Sequence, residues 1–316
     1  KTVTLVDGAT LPYGQLVLAT GSKPVRPHLP GIDLPGVMTF RDMADVRTLR
    51  EATRHGARIV VIGGGLLGIE AAYGLSRSGA RVTLLHLVDR LMERQLDAEG
   101  AALLAEAVAL RGIDLKLGAA TRAFLGRDHV EAVELQDGTV LPADIVVIAI
   151  GVRSNTALAE TAGLSIDRGI LVDDAMTTSD PAIFAIGECA QHDGSVYGLV
   201  EPAYEQARVL ARRLAGEPAS YRGSLLATNL KVSGIGVFSA GAFEAHEGAQ
   251  TIVLRDRATG LYRKFVIRDD RLIGCVLVGD TQGALFYLRL IRSGQDISAI
   301  RSELPFGEPY CLAEAA

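Results

Sequence analysis

The sequence predicts an α/β protein with helices flanking parallel sheets, followed by a smaller α+β region at its C-terminal end. Three observations predict this class. A β-branched strand, a glycine turn, a helix and a second strand follow one another over residues 58–86. Short apolar strands ending in glycine recur at 19–21, 150–151 and 184–188. Beyond residue 225 the pattern changes to longer β-like runs with one helix.

Composition limits the class of protein. The chain has 316 residues, 48% hydrophobic and 22% charged, which is enough for two or three domains with buried cores. Its net charge of −5, without a dense Lys/Arg run, argues against nucleic acid or an anionic membrane as partner. The apolar runs are far shorter than the ~20 residues that span a bilayer, and nothing resembles a signal peptide. We therefore expect a cytoplasmic protein.

The cysteines argue against several kinds of site. Cys189, Cys275 and Cys311 are scattered, with no CxxC, CxxxxC or His/Cys cluster. That spacing disfavours a disulfide framework, a zinc site or a complete iron-sulfur site. We expect three single thiols and no metal site.

The N-terminal segment reads as a hairpin over 1–18, with Asp7-Gly8 at its turn, that feeds a buried strand ending at 19–21. A proline-rich connector at 24–35 leads to a helix predicted over 42–55. Because this segment starts with a strand and lacks a glycine loop of its own, the sequence suggests a domain that begins partway through.

The central block has βαβ order. It consists of a strand at 58–62, a glycine turn at 63–68, a helix at 69–78 and a strand at 81–86. The elements predicted after it are a helix at 97–111, an antiparallel stretch turning near Gly126 and Asp137-Gly138, a strand at 144–151, strands between 169 and 188, a helix at 202–215, strands at 261–267 and 272–279 joined by a charged turn, and a helix at 284–293.

The glycine turn predicts a dinucleotide site. Gly63, Gly65 and Gly68 form GxGxxG between a strand and a helix, where a tight turn, close approach of a pyrophosphate and close helix-strand packing are each needed. The following helix offers its free N–H groups to the phosphates. The alternative is a purely structural turn.

The choice between NADH and NADPH depends on the end of the second strand, where an acid usually binds the ribose hydroxyls. That position holds His86, which decides neither way. Arg90 and Arg94 are near enough in sequence to meet a 2′-phosphate, or equally to be solvated surface residues. Glu70, expected in the helix's first turn, fits either a dipole partner or a catalytic residue of a nicotinamide pocket.

A second constellation lies outside the βαβ unit. Ala19-Thr20-Gly21 and Ile150-Gly151 are matching strand exits, and a third strand ends in Gly187-Glu188. An acid there suits a sugar-alcohol hydroxyl, or is simply a strand-end acid. The helix after Glu201-Pro202 is expected to start at the proline, so that its N–H groups either face the O2 edge of a flavin or merely begin a packed helix.

These motifs resemble the FAD-dependent pyridine nucleotide-disulphide oxidoreductase family over essentially the whole chain. Residues 82–97, Gly187-Glu-Cys-Ala190 and Tyr197-Gly-Leu-Val200 resemble its branch of nitrite reductase large subunits and rubredoxin reductases. The resemblance implies two nucleotide-binding, Rossmann-like domains, one inserted in the other and the first truncated at its N-terminus, plus a small α+β domain. The implied boundaries are 1–55 with 152–224 for FAD, 56–151 for NAD(P), and 225–316 for the C-terminal interface domain.

The resemblance also implies the site residues. Those expected at FAD are Ala19, Thr20, Gly21, Arg41, Gly187, Glu188, Glu201 and Pro202. Those expected at NADH or NADPH are Gly63, Gly65, Leu66, Leu67, Gly68, Glu70, His86 and Gly151.

The implied activity is transfer of a hydride from NAD(P)H to FAD and of electrons onward to a metal-containing acceptor, with nitrite or nitrate assimilation as the suggested context. The expected partner is an iron-sulfur, sirohaem or rubredoxin-like protein or module, and a homodimer is a further option. Two alternatives stay open. One is a thiol-type NADH oxidase or disulphide reductase with its redox cysteine upstream of Lys1, and the other is a non-catalytic nucleotide-binding interaction module.

Overall fold

The computed structural model describes residues 1–230, 234–244 and 247–313. The strands, in chain order, are β1 (Thr2–Thr4), β2 (Thr10–Pro12), β3 (Leu16–Leu18), β4 (Ser22–Pro24), β5 (Val37–Thr39), β6 (Arg58–Ile62), β7 (Arg81–Leu85), β8 (Asp114–Lys116), β9 (Thr121–Leu125), β10 (Ala132–Leu135), β11 (Val140–Pro142), β12 (Ile145–Ile148), β13 (Val152–Ser154), β14 (Ile170–Val172), β15 (Ile183–Ala185), β16 (Ala190–His192), β17 (Ser195–Val196), β18 (Ala227–Leu230), β19 (Gly236–Gly241), β20 (Gln250–Asp256), β21 (Leu261–Arg268) and β22 (Arg271–Gly279). The helices are α1 (Met43–Ala52), α2 (Leu66–Arg77), α3 (Ala98–Ala109), α4 (Ala157–Thr161), α5 (Val200–Leu214), α6 (Ala284–Ser293) and α7 (Glu308–Ala313).

The described chain forms two compact units. The first contains residues 1–24 and 152–225, and the second contains 25–151 and 226–316. The predicted three-domain division stays a prediction, and these units group its segments differently. Residues 25–55, which the sequence assigned to the FAD domain, lie in the second unit with the central block and the C-terminal region.

A parallel five-stranded sheet forms the centre of the second unit, with the strand order β5-β12-β6-β7-β8. Its strands are short and β-branched, and β12 is buried along its whole length. Such continuous apolar runs are typical of a parallel sheet covered on both faces. One face packs against α2 and α3 through a core that includes Ile69 and Leu104. The other face packs against Phe124 and Val133 of the antiparallel sheet β11-β10-β9.

The C-terminal region is an antiparallel sheet with the order β18-β19-β22-β21-β20. Its central hairpin turns at Asp269 and Asp270, whose φ angles of 50° and 52° are those of a type I′ turn. Val276 and Val278 of β22 belong to the same hydrophobic core as Leu104 of α3. The C-terminal sheet therefore shares a core with the nucleotide-type sheet.

The first unit contains small sheets. β3 pairs in parallel with β15, and β4 pairs antiparallel with β13. The predicted N-terminal hairpin is confirmed, since Thr2 pairs with Pro12 across β1 and β2. Leu18, Ile183 and Ala185 are buried together in its core.

Two predicted helix starts are wrong. Helix α2 begins at Leu66 rather than Ile69, so that Gly68 lies inside the helix. Helix α5 begins at Val200, which places Pro202 at the third helical position instead of the first. The N–H groups of a helix's first turn have no partner within the helix, so a proline is tolerated there. Gly68 is tolerated in the first turn of α2 because a larger residue would collide with the Gly63 carbonyl oxygen.

Among the described residues, no helix combines the length and the apolar character needed to cross a membrane.

Candidate functional site

The glycine loop between β6 and α2 is shaped by contacts that exclude larger residues. Gly63 has a φ of 122°, and a Cβ there would collide with the Ala149 carbonyl group. A Cβ on Gly68 would collide with the Gly63 carbonyl oxygen. The predicted roles of these two glycines, a tight turn and close helix-strand packing, agree with this geometry.

Gly65 is different, because a Cβ there would meet nothing within 4 Å. It is the N-cap of α2, and no side chain caps the helix. The first N–H groups of α2 are thus left for an outside acceptor at the positive end of the helix dipole. An open cradle of this kind fits the pyrophosphate of a dinucleotide.

His86 follows β7 directly and is 9% exposed. Its Nδ1 accepts the Gly64 N–H at 3.0 Å, and its Nε2 lies 3.0 Å from the carboxylate of Glu93. The imidazole therefore joins the glycine loop to the segment after β7. Glu93 was not predicted from the sequence, because the partner of a strand-end histidine seven residues away leaves no local pattern.

The sequence-predicted role of Glu70 needs a correction. Because α2 begins at Leu66, Glu70 lies in the second turn, and the first turn contains no acid. It is therefore too far along the helix to be a first-turn dipole partner. Partial burial raises the pKa of the Glu70 carboxyl. Its catalytic role near a nicotinamide stays a prediction, as do the contacts predicted for Leu66 and Leu67, which are half-buried in the first turn.

Gly151 lies just past β12, which pairs with β6 in parallel register, Ile148 opposite Ile62. Its φ of 106° is one that glycine adopts freely. The carboxyl ends of adjacent parallel strands meet at one sheet edge, so Gly151 and the glycine loop lie at the same edge.

The arginines considered for a 2′-phosphate differ in environment. A guanidinium nitrogen of Arg90 lies 3.6 Å from the Glu244 carboxylate, and its Nε is buried without a hydrogen-bond partner among the described residues. Arg94 is exposed. Arg90 is thus partly neutralised by a carboxylate of the C-terminal region.

In the first unit, the predicted strand exit at Thr20 and Gly21 binds Asn155, which follows β13. The Thr20 hydroxyl donates to the Asn155 carbonyl oxygen at 2.6 Å, and the Asn155 N–H donates to the Gly21 carbonyl oxygen at 2.8 Å. Gly21 has a φ of 66° and open space where a Cβ would be. Ala19 is exposed beside this turn.

Glu188 is bound to the same turn. The Ser22 hydroxyl donates to its carboxylate at 2.6 Å, and the Ser154 hydroxyl donates to its backbone carbonyl oxygen at 2.7 Å. Sequence reasoning identified Glu188 as a site residue but assigned no role to Ser22 and did not identify Ser154. Since Ser22 and Ser154 are paired across β4 and β13, only the sheet register brings them to this acid.

Helix α5 contributes a further residue that the sequence did not identify. Gln206 is fully buried, and its side-chain oxygen accepts the Gly187 N–H at 2.7 Å. It lies on the buried face of α5 with Pro202 and Leu210, at a spacing of four residues. A polar residue on that otherwise apolar face was the available signal.

The start of α5 has no side-chain cap, and Pro202 has no N–H to offer. Pro202 therefore contributes no donor to the first turn of α5. A helix start without a side-chain cap fits an electron-rich ring edge such as that of a flavin. The assignments of Glu201 and Pro202 to flavin stay predictions.

Arg41 lies in the second unit, whereas the other residues predicted for FAD lie in the first. Its N–H donates to the Asp45 carboxylate at 2.7 Å, just before α1. Its predicted contact with flavin is untested.

Together, the parallel sheet, its glycine loop and the uncapped helix define a dinucleotide-binding α/β protein. The model of the pyridine nucleotide-disulphide oxidoreductase family matches residues 1–207, and the model of the rubredoxin NAD+ reductase C-terminal domain matches residues 227–295. The chain belongs to the pyridine nucleotide-disulphide oxidoreductase family. The family and the branch predicted from the sequence are confirmed, as is the α/β fold class with a C-terminal antiparallel sheet.

The chain is similar to nitrite reductase [NAD(P)H] of Bacillus subtilis, with 45% identity over 94% of this chain and 37% of the relative. It is also similar to the assimilatory nitrate reductase electron transfer subunit of that organism, with 40% identity over 93% of this chain and 38% of the relative. The chain thus spans less than two fifths of the length of these relatives. Among solved structures, a ferredoxin reductase from Rhodopseudomonas palustris has a TM-score of 0.82 and 29% identity, covering 94% of this chain and 76% of that one.

The predicted cofactors, FAD and a pyridine nucleotide, are confirmed as those of the family and its structural neighbours. The residues described above fit both groups. Gly65 and the start of α2 would hold the pyrophosphate of NAD(P)H, and the turn at Gly21 with Glu188 would hold part of FAD.

Proposed function

We propose that this chain carries out electron transfer from NAD(P)H to FAD and onward to a separate metal-containing protein or module. The observation that carries the proposal is the open cradle at Gly65, at the uncapped start of α2. When bound, FAD would accept a hydride and release its electrons one at a time. The chain's own residues would bind and orient the two cofactors.

Three chain features would do this work. The N–H groups at the start of α2 would bind phosphate, since the helix dipole favours negative charge there. The Glu188 carboxylate, held by Ser22, would accept a hydrogen bond from a hydroxyl of FAD. The N–H group of Val200, in the uncapped first turn of α5, would donate to the flavin edge.

The likeness to relatives supports the acceptor part of the proposal. The names of the two Bacillus subtilis relatives refer to nitrite reduction and to electron transfer for nitrate reduction. A relative from Aeromonas hydrophila, 34% identical over 91% of this chain and 74% of its own length, is named a nitric oxide reductase FlRd-NAD(+) reductase. We infer an iron-sulfur, sirohaem or rubredoxin-like electron acceptor in nitrite or nitrate assimilation. We also propose that the protein is cytoplasmic.

The thiol-relay alternative receives no support from this chain's cysteines. Cys189, Cys275 and Cys311 are all buried. Burial raises the pKa of the Cys275 thiol to about 12 and raises that of Cys311, which keeps both as poorly nucleophilic thiols.

The test is a visible spectrum of the purified protein with added FAD, recorded before and after NADH under anaerobic conditions. A protein-bound flavin absorbs at about 450 nm, and bleaching of this band on addition of NADH supports the proposal. If the flavin band stays unchanged on addition of NADH and, separately, of NADPH, the proposal is contradicted.

A matched pair of glycine variants locates the activity at the cradle. Gly65→Ala fills open space, so we expect the fold to persist while nucleotide binding weakens by at least about tenfold, since the new methyl blocks approach of the pyrophosphate. Gly74→Ala makes the same change later in α2, also in open space, and we expect normal binding. Equal binding by both variants would contradict the role of the cradle.

A further inference from the structure

The contacts of His86 assign the roles of its two ring nitrogens. The Gly64 N–H can only donate, so Nδ1 of His86 must be the unprotonated nitrogen at their 3.0 Å contact. The proton then lies on Nε2, which donates to the Glu93 carboxylate at 3.0 Å. Both ring nitrogens are thus engaged within the protein, so His86 offers neither a donor to a phosphate nor an acceptor to a ribose hydroxyl.

Glu93 supplies the negative charge that the strand end lacks. Its side chain is 29% exposed, against 11% for that of His86, so the carboxylate is the member of the pair that reaches solvent. One of its oxygens binds His86, which leaves lone pairs on the other for a further donor. A carboxylate at this sheet edge suits a ribose hydroxyl and repels a phosphate.

The backbone holds Glu93 in this place. The Met92 N–H donates to the Gly64 carbonyl oxygen at 3.0 Å, while the Gly64 N–H binds His86. Met92 has a φ of 50°, and its side chain and that of Leu91 are fully buried. Both backbone groups of Gly64 therefore bind this region: its carbonyl oxygen binds Met92, and its N–H binds His86, the partner of Glu93.

The neighbouring cation, Arg90, is paired with a carboxylate. Arg90 lies 3.6 Å from Glu244, which reduces the positive charge it can present to a 2′-phosphate.

We infer that Glu93, positioned by His86, is the residue that selects NADH over NADPH by accepting from the adenosine ribose and repelling a 2′-phosphate. This inference rests on the proposed function, because it requires a nucleotide at the glycine loop. It assigns the discrimination to Glu93, seven positions beyond His86, whereas the sequence alone left the choice between NADH and NADPH undecided.

The test measures binding rather than turnover. ADP-ribose and its 2′-phosphorylated form are titrated separately into the full chain by calorimetry. We expect the wild type to bind ADP-ribose at least about tenfold more tightly, since a carboxylate and a phosphate repel across a short distance. A wild-type preference for the phosphorylated ligand overturns the inference and assigns the dominant role to Arg90 or Arg94.

Variants that change the charge at Glu93 then test whether this residue sets the preference for ADP-ribose. Glu93→Gln has the same shape and still accepts from His86 Nε2–H, so the fold is retained, and we expect the preference to fall below about threefold. Glu93→Arg should reverse it. The control Glu106→Gln removes a charge from the exposed face of α3 and should leave the preference unchanged. An unchanged preference in Glu93→Gln overturns the inference.

His86→Asn tests the positioning role. Its side-chain oxygen can still accept the Gly64 N–H, but the side chain is too short to hold Glu93. We expect the ratio of the two affinities to shrink while binding of ADP-ribose itself changes little. An unchanged ratio contradicts positioning by His86. If the wild type binds neither ligand, the proposed function fails, whereas binding without discrimination removes only this inference.

Discussion

Single residues decide the shape of the glycine loop, and the loop's glycines are not equivalent. Gly63 and Gly68 are required by contacts within the protein, whereas a Cβ on Gly65 would meet nothing within 4 Å. The GxGxxG pattern predicted all three, but it could not separate the two glycines that a Cβ would force into a clash from the one where a Cβ would meet nothing. Only the coordinates of neighbouring backbone atoms make that distinction.

Gly68→Ala is expected to destabilise the protein by at least about 2 kcal/mol, because its Cβ would collide with the Gly63 carbonyl oxygen, a backbone atom that cannot move freely. Chemical denaturation measures the loss. Gly74→Ala in the same helix is the control, and it should stabilise by up to about 1 kcal/mol because a glycine in a helix interior is replaced without a clash. A Gly68→Ala protein as stable as this control would contradict the packing argument.

At the scale of elements, local sequence signals set most helices and turns. Asp42 caps α1 by accepting from the backbone N–H groups of Ala44 and Asp45, and the Asp45 carboxylate accepts in return from the Asp42 N–H. This capping box explains why the helix begins one residue after Asp42. The predicted start at residue 42 is therefore correct to within one position.

Asp42→Ala is expected to lower the free energy of unfolding by about 1 kcal/mol, because two N–H groups of the first turn lose their acceptor. Thermal and urea denaturation measure it. Asp42→Asn retains a capping oxygen and should stay close to the wild type. Equal losses in both variants would show that the charge, rather than the cap, stabilises α1.

At the scale of the whole molecule, one buried cluster joins the nucleotide-type sheet to the C-terminal sheet. Asp97, the N-cap of α3, accepts from the Tyr262 hydroxyl and the Lys264 ammonium group of β21, each at 2.7 Å. The side chains of Lys264 and Asp97 are only 12% and 16% exposed. This cluster and the core shared by α3 and β22 place both sheets in one compact unit.

The cluster predicts a pH dependence. Burial opposes ionisation of Asp97, but the hydrogen bonds from Lys264, Tyr262 and the Gly100 N–H outweigh it and lower the pKa of this carboxyl. A carboxyl whose pKa is lower in the folded state stabilises the protein above its unfolded-state pKa of about 4. That stabilisation is lost as the pH falls through the lower, folded-state pKa.

Asp97→Asn should cost about 3 kcal/mol at pH 7, because Lys264 is left buried without its anion. Urea unfolding between pH 7 and pH 3 measures it, and the difference from the wild type should shrink at the acid end. Asp33→Asn, which breaks the exposed pair with Arg26, should produce no measurable change. A difference for Asp97→Asn that is independent of pH would contradict the ionic origin.

The sequence by itself determined the parallel βαβ order, the family and the glycine loop, because these depend on residues close together in the chain and on periodicity. It also placed Glu188 and the turn at Gly21. It could not find Glu93, Ser154 or Gln206, since each acts on a residue that only folding brings near. The tertiary structure alone decided that Gly65 is the open glycine and that His86 faces inward, because both depend on the positions of atoms from separate strands and loops.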